Sequence, residues 1–183
     1  MRRGTLIGLA AAIAAGPALA SGAPGAGGPP ADGSVWTRIS MDQALELIAE
    51  TGATVTDSGV SDEGFSINIQ YASGLYAFVD GRECEGLGAR MVCAEIETGG
   101  VFTADDEAHA LRLERELSYI WVADHAEGNE LTVWRRDCLH GGVTRGQVLH
   151  WITVMEEQLD AVSRAIWPDE GASVGPRNQP VET

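Results

Sequence analysis

The sequence contains no lysine, and its arginines are far outnumbered by aspartate and glutamate. There are 12 basic residues against 27 acidic ones, which gives a formal net charge of −15. A surface of this kind repels phosphate groups. Nucleic acids and anionic membrane surfaces are therefore poor candidate partners, although the charge says nothing about the fold.

Two motifs of common catalytic centres are also missing. There is no glycine-rich phosphate loop and no His-Glu-x-x-His zinc motif. Cys138 and His140 lie two residues apart beside Asp137, but nucleophile–base pairs are usually assembled from distant positions, so we interpret this segment as a loop before a helix. We expect no enzyme activity, no catalytic residues, no cofactor and no bound metal.

Long apolar runs are absent except near the start of the chain. Arg2 and Arg3 precede an apolar run at residues 6–15, and Ala-Leu-Ala at residues 18–20 matches the small-x-small pattern of signal cleavage. A membrane-spanning helix needs roughly 20 apolar residues, about twice this run. We therefore expect a cleaved signal peptide at residues 1–20.

The predicted cut lies between Ala20 and Ser21. The residues after the arginine pair favour the general secretory route over twin-arginine export, and no cysteine follows the cut to carry a lipid. The mature protein is then expected in the periplasm or outside the cell, with no stable membrane anchor. Loss of two arginines and no acids changes the net charge from −15 to −17.

Cysteine is scarce, with three in the chain. In an oxidising compartment, Cys84 and Cys93 are expected to form a disulfide that closes a small loop. A redox pair usually has two intervening residues, and a structural zinc needs four Cys or His ligands, so both alternatives are less favoured. Cys138 is then unpaired: burial as an inert thiol is the preferred interpretation, and pairing between chains is the alternative.

Composition divides the mature chain into three parts. Residues 21–34 are dominated by Gly, Pro and Ala and are interpreted as a flexible linker. Residues 169–183 hold few large apolar side chains and are interpreted as a disordered tail. The 134 residues between them, 35–168, are the usual size of one domain.

Two helices have clear start signals. Ser40 and Gln43 form a capping box, with Gly52 as the stop, and the first helix carries an apolar stripe of Met41, Ala44, Leu45 and Ile48. Thr144 and Gln147 form a second box, which opens the last helix with its stripe of Val148, Trp151, Ile152, Met155, Leu159, Val162 and Ile166. Thr103 is predicted to cap a middle helix with acids in its first turn.

Strands are predicted between these helices. Residues 65–71 alternate strictly, with Phe65, Ile67, Ile69 and Tyr71 on one face. Further strands are expected at residues 75–80, 89–97, 120–124 and 131–135, while residues 53–57 are a weak candidate. The order α-βββ-α-ββ-α predicts an α+β domain, with an antiparallel sheet and helices packed on it.

Five tryptophans remain to be placed. Trp151 belongs to the last helix stripe, Trp121 and Trp134 fall on strands, and Trp36 precedes the first helix. Core packing is the preferred role, and a partner-binding groove is the alternative.

The chain resembles the YbjN-domain family, bacterial proteins described as sensory transduction regulators. The resemblance rests on the element order, on an acidic-capped helix that runs into a β-pair across residues 114–133, on Gly-Gly-Val-Thr at residues 141–144, and on a Trp-containing last helix at residues 147–167. It implies a fold like that of type III secretion chaperones, often dimeric or partner-binding, and no enzyme activity. A cysteine pair in the central hairpin, as at Cys84 and Cys93, also fits exported members.

The expected function is accordingly a non-enzymatic, chaperone-like or regulatory interaction module. Its partner is an unidentified protein or a second copy of the chain. The alternative is a periplasmic small-molecule-binding or hydrolytic protein with a pocket lined by Trp and His.

Overall fold

The computed structural model describes residues 34–103, 121–125, 130–167 and 178–179. The predicted signal peptide with its cut at Ala20 and Ser21 lies outside the described residues. So do most of the predicted linker, the middle helix expected after Thr103, and most of the predicted tail.

Within the described part of the chain there are ten strands, two helices and one 3-10 turn at Gly88–Arg90. In chain order the elements are β1 (Val35–Trp36), β2 (Ile39–Ser40), α1 (Met41–Thr51), β3 (Thr54–Val60), β4 (Phe65–Gln70), β5 (Tyr76–Glu85), β6 (Val92–Thr103), β7 (Trp121–His125), β8 (Glu130–Cys138), β9 (Val143–Thr144), α2 (Arg145–Ile166) and β10 (Asn178–Gln179).

The main sheet is curled and antiparallel, with the strand order β3-β4-β5-β6-β8-β7. The short strands β2 and β10 pair with the two ends of β6, and β1 pairs with β9 apart from this sheet. All of these pairings are antiparallel, which short connections between consecutive strands allow. The fold class is therefore α+β, as predicted.

Both predicted capping boxes are present. The Ser40 hydroxyl accepts a hydrogen bond from the Gln43 amide at 3.3 Å, and the Gln43 side chain accepts from the Ser40 amide at 2.9 Å. The same exchange joins Thr144 and Gln147 at the start of α2. Gly52 ends α1 with a left-handed φ of 78°, a conformation that glycine adopts without a steric penalty.

The two helices and the sheet share one hydrophobic core. From α2 the core receives Val148, Ile152, Met155, Leu159, Val162 and Ile166. Trp151, which was predicted in the same stripe, is partly buried and packs at the margin of the core. In α1 the buried residues are Ala44, Leu47 and Ile48, so the predicted stripe missed Leu47.

An ion pair also joins the helices. The Arg145 guanidinium bonds the Glu50 carboxylate, and this hydrogen bond holds the pKa of Glu50 below its ordinary value. The end of α1 and the start of α2 are therefore fixed to each other by charge as well as by packing.

Several strand boundaries differ from those predicted. Four strands, not three, lie between α1 and the undescribed segment, because the weak candidate at residues 53–57 forms the seven-residue strand β3. β8 continues to Cys138, so Asp137 and Cys138 of the segment interpreted as a loop lie in a strand, while Leu139 and His140 follow it. Thr103, the expected helix cap, is the last residue of β6.

Candidate functional site

β3 forms one edge of the main sheet. It pairs with β4 alone among the described strands, and all seven of its residues are exposed. Two of them are apolar: Val55 is 39% exposed and Val60 is 44% exposed. An exposed edge strand presents unpaired amides and carbonyls, and a second chain can hydrogen-bond to them.

The register shows which backbone groups of β3 point outward. Ser61 donates its amide to the Gly64 carbonyl at 2.8 Å, so these two residues form a hydrogen-bonded pair. Because such pairs alternate along an antiparallel ladder, Gly59 bonds to β4 while Ser58 and Val60 do not. The N–H and C=O groups of Ser58 and Val60 therefore point away from β4.

A register shift between Val55 and Asp57 interrupts the edge. A bulge of this kind limits uncontrolled edge-to-edge pairing. It leaves Asp57–Val60 as an uninterrupted stretch in register with β4, and Ser58 and Val60 lie within that stretch.

An apolar pocket lies at the end of this stretch. Its volume is about 220 Å³, and it is lined by Ser40, Met41, Asp42, Val60, Phe65, Gly88, Ala89 and Met91. These residues come from the start of α1, the β3–β4 hairpin and the turn that precedes β6. The pocket contains neither Trp nor His, so it is not the Trp- and His-lined pocket of the alternative prediction.

A disulfide closes the loop that supplies three of the pocket's lining residues. The sulfur atoms of Cys84 and Cys93 lie 2.02 Å apart, which is bonding distance, as the predicted pairing requires. The two residues are direct cross-strand partners on β5 and β6. Three lining residues, Gly88, Ala89 and Met91, lie inside the ring that this bond closes.

The edge strand and the start of α1 lie in an acidic stretch of the sequence, in which Glu50 and Asp80 are paired with Arg145 and Arg82. Residues 39–81 include no Arg, Lys or His. The acidic residues in that stretch are Asp42, Glu46, Glu50, Asp57, Asp62, Glu63 and Asp80. Asp42 lines the pocket, and Asp62 and Glu63 are exposed in the turn after β3.

A second cluster of charged residues lies on the sheet face opposite Ile67. Its members are neighbours across four strands: Ser66 pairs with Asp80, Asp80 with Glu97, and Glu97 with Arg136. The Arg136 guanidinium donates from Nε at 3.0 Å and from Nη2 at 2.7 Å to one oxygen of Glu97. This hydrogen bond raises the pKa of Arg136.

Asp80 is the most constrained acid of this cluster. It accepts from the Ser66 hydroxyl at 2.7 Å and from Arg82 at 2.8 Å. Burial raises the pKa of Asp80, and the Ser66 and Arg82 contacts oppose that rise only in part. Each carboxylate here has an arginine partner, so the cluster is largely neutralised from within.

The candidate catalytic residues are not brought together. Asp137 and Cys138 are adjacent on β8, and adjacent strand residues point to opposite faces. Asp137 pairs with Arg135 at 2.7 Å, whereas His140 lies 3.4 Å from Glu83. Cys138 is exposed, so the expectation that it is buried was wrong; it lies at the end of a strand instead of inside the core.

The tryptophans take different positions. Trp36 is buried in the core. Trp151 and Trp167 are partly buried and pack against the core. Trp134 stacks under the Arg136 guanidinium at 5.4 Å, on the charged face. Trp121 pairs with Trp134 across β7 and β8. None of them lines the pocket beside β3.

Sequence patterns did not reveal this pocket or the edge beside it. The lining residues come from three separate segments, and only the exact pairing of β3 with β4 places Val60 beside Phe65. The one sequence feature near the pocket that could be recognised was the glycine-containing turn between Cys84 and Cys93.

The described residues hold neither a metal-binding cluster nor a candidate membrane-spanning helix. No group of three or more His, Cys, Asp or Glu side chains is arranged to hold a metal ion there. No helix among the described residues is both long and apolar enough to cross a membrane. Comparison with known proteins finds no matching family, no similar curated protein and no similar solved structure.

Proposed function

We propose that the chain is an exported, non-enzymatic interaction module that binds an extended segment of a partner protein by strand addition to β3. One observation carries the proposal: β3 is exposed along its whole length and, among the described strands, pairs only with β4. Strand addition to an open sheet edge is a common mode of peptide recognition. The sequence resemblance to the YbjN family supports the proposal, because it implies a chaperone-like, partner-binding fold.

The number of free backbone groups sets the strength of such binding. Ser58 and Val60 offer two amides and two carbonyls to an added strand. A net contribution of about 0.5–1.5 kcal/mol per hydrogen bond gives roughly 2–6 kcal/mol in total. Association itself costs a comparable amount or more, so backbone bonds alone support only weak binding.

The other surfaces of the described residues support a binding role over a catalytic one. The buried acids on the charged face are paired with Arg82 and Arg136. Asp137, Cys138 and His140 point in different directions or pair elsewhere. The Cys84–Cys93 bond is compatible with an oxidising compartment such as the periplasm or the extracellular space.

The test uses a proline at an outward-facing amide. Ser58→Pro removes a hydrogen-bond donor that an added strand needs, yet it removes no bond to β4, because proline is tolerated on edge strands where the N–H faces solvent. Ser58→Thr at the same position keeps the donor and serves as the matched control. Peptides selected from a random library by the purified mature chain are expected to bind wild type and Ser58→Thr and to lose binding to Ser58→Pro.

Amide hydrogen exchange makes the test independent of whether the proline variant folds. Bound peptide is expected to slow exchange at the amides of Ser58 and Val60 in the wild-type chain. Binding that leaves both amides unprotected, or that survives Ser58→Pro, contradicts strand addition at β3. Sedimentation at several concentrations shows whether the bound strand comes from a second copy of the chain.

A further inference from the structure

We propose that the segment bound at β3 is basic and carries one apolar side chain that fills the pocket beside Val60. This inference rests on the proposed function, and it specifies the chemistry of the partner. It joins three features of the described residues: the register of β3, the size and lining of the pocket, and the sign of the surrounding charge.

The register brings one partner side chain to the mouth of the pocket. Val60 and Phe65 are direct cross-strand partners, so their side chains lie on the same face of the sheet, and both line the pocket. A residue that pairs with Val60 from the free side has its side chain on that same face. Because the backbone groups of Val60 point outward, such pairing is geometrically available.

The pocket suits one side chain and not a larger ligand. Its volume of about 220 Å³ is below the roughly 300–1,000 Å³ typical of pockets for drug-sized molecules. Met41, Met91 and Phe65 are among its lining residues, and methionine adapts its shape to different aliphatic partners. An aliphatic side chain such as Leu or Met is therefore the expected anchor.

The helix start at the pocket does not make it a site for anions. Ser40, Met41 and Asp42 at this helix start line the pocket, and the capping box satisfies the Gln43 amide. Asp42 in the first turn places a carboxylate beside the positive end of the helix dipole. The capped helix start and the Asp42 carboxylate both disfavour an anionic ligand in the pocket.

The charge around the edge favours a basic segment. Asp42, Asp62 and Glu63 lie beside the pocket or in the adjacent turn, and Arg90 is the one cation in the turn that forms the opposite wall. Like charges across an interface are unfavourable, and opposite charges raise the association rate. The attraction is between exposed groups and should weaken as salt screens it.

Three synthetic peptides of equal length test the inference with the purified mature chain and fluorescence anisotropy. The first has a central Leu flanked by Arg, the second replaces that Leu with Ser, and the third replaces the Arg residues with Glu. We expect the Arg–Leu peptide to bind tightest and the Leu-to-Ser change to weaken binding about tenfold to a hundredfold, as loss of one buried aliphatic side chain requires. At low salt the Glu peptide should bind more weakly than either Arg peptide. The difference in affinity between the Arg–Leu and Glu peptides should become smaller as salt is added.

Two chain variants separate charge from pocket. The double variant Asp62→Asn with Glu63→Gln should reduce the preference for Arg over Glu peptides without removing the effect of Leu. Val60→Asp should remove the effect of Leu. Equal binding of Arg and Glu peptides overturns the charge assignment, and equal binding of Leu and Ser peptides overturns the pocket assignment, while strand addition stands in both cases. Failure of every peptide, library-selected ones included, overturns the proposed function as well.

Discussion

The Tyr71 hydroxyl donates a hydrogen bond of 2.7 Å to the Ile152 carbonyl, and so joins the end of β4 to the middle of α2. Tyr71 is 4% exposed, and the bond spans 81 residues of sequence. Sheet and long helix are therefore held by a specific polar contact within an otherwise apolar interface. The four predictions that follow test this contact and three others that shape the domain.

Tyr71→Phe should lower the free energy of unfolding by about 0.5–1.5 kcal/mol, because it removes one buried hydrogen bond without leaving a large cavity. Urea denaturation at neutral pH measures the change, with the slope of the transition expected to stay the same. Burial also raises the pKa of Tyr71 above its ordinary value of 10.0. In a spectroscopic titration that compares wild type with Tyr71→Phe, Tyr71 should therefore ionise only when the chain unfolds, and its ionisation near pH 10 in the folded chain would contradict this assignment.

Gly100→Ala should destabilise the domain by about 1–3 kcal/mol, since an added methyl group has no room in the packed core. A Cβ atom at this position would come within 2.8 Å of a Leu159 methyl group and 3.0 Å of the Tyr76 carbonyl oxygen. Thermal unfolding measures the loss. Gly59→Ala on the exposed strand β3 is the matched control, because nothing lies within 4 Å of its added Cβ. Equal melting temperatures for the two variants would contradict the close packing of Leu159 on α2 against Gly100 on β6.

Asp80→Asn should change how stability depends on pH. Burial raises the pKa of Asp80 above its ordinary value of 3.8, so the folded chain holds this proton more tightly than the unfolded chain. The stabilisation from that proton is present below 3.8 and is lost as pH rises through the raised value. Asparagine has no such proton, so the stability of wild type relative to the variant should fall as pH rises through this window.

Urea denaturation at closely spaced pH values checks the Asp80 prediction. Asp160→Asn, which removes an exposed aspartate on α2, controls for the loss of one negative charge. A difference between wild type and Asp80→Asn that stays constant across the window, or that rises with pH, would exclude the assignment of the raised pKa to Asp80.

Replacement of both Cys84 and Cys93 by alanine should lower stability by about 2–3 kcal/mol, the chain-entropy value for a ring of this size. Non-reducing mass spectrometry of the wild-type protein should show a linked peptide, and thermal unfolding should report the loss in the double variant. Cys138→Ser, at an exposed position, should change stability by no more than about 0.5 kcal/mol. A larger effect at Cys138 than at the pair would reverse the assignment.

The helices could be predicted from sequence because each has a local start signal and a buried face. The boxes at Ser40 and Thr144 place the first turn of each helix to the residue. The α2 stripe is visible because one side of this helix meets the sheet while the other meets water. Leu47 escaped the predicted stripe of α1 because α1 contacts both the sheet and α2, which widens its buried face.

The edge strand could not be predicted with the same certainty. β3 has no buried face, so its sequence Thr-Val-Thr-Asp-Ser-Gly-Val shows no alternation and resembles a turn. β4 beside it is buried on one face and was predicted from its alternation alone. β3 best supports the proposed function, yet its sequence gives the weakest strand prediction. The reason is that an exposed strand needs no alternation of apolar and polar residues.

On the proposed function, the disulfide links binding to the redox state of the surroundings. The Cys84–Cys93 bond closes the ring that contains Gly88, Ala89 and Met91, so its reduction would remove a covalent restraint on this part of the pocket wall. Chains with both cysteines reduced would then have a less constrained pocket and would bind basic segments more weakly. If the chain is exported as proposed, formation of the Cys84–Cys93 bond after translocation would be the maturation step. Tight binding of the partner would then be confined to the oxidising compartment.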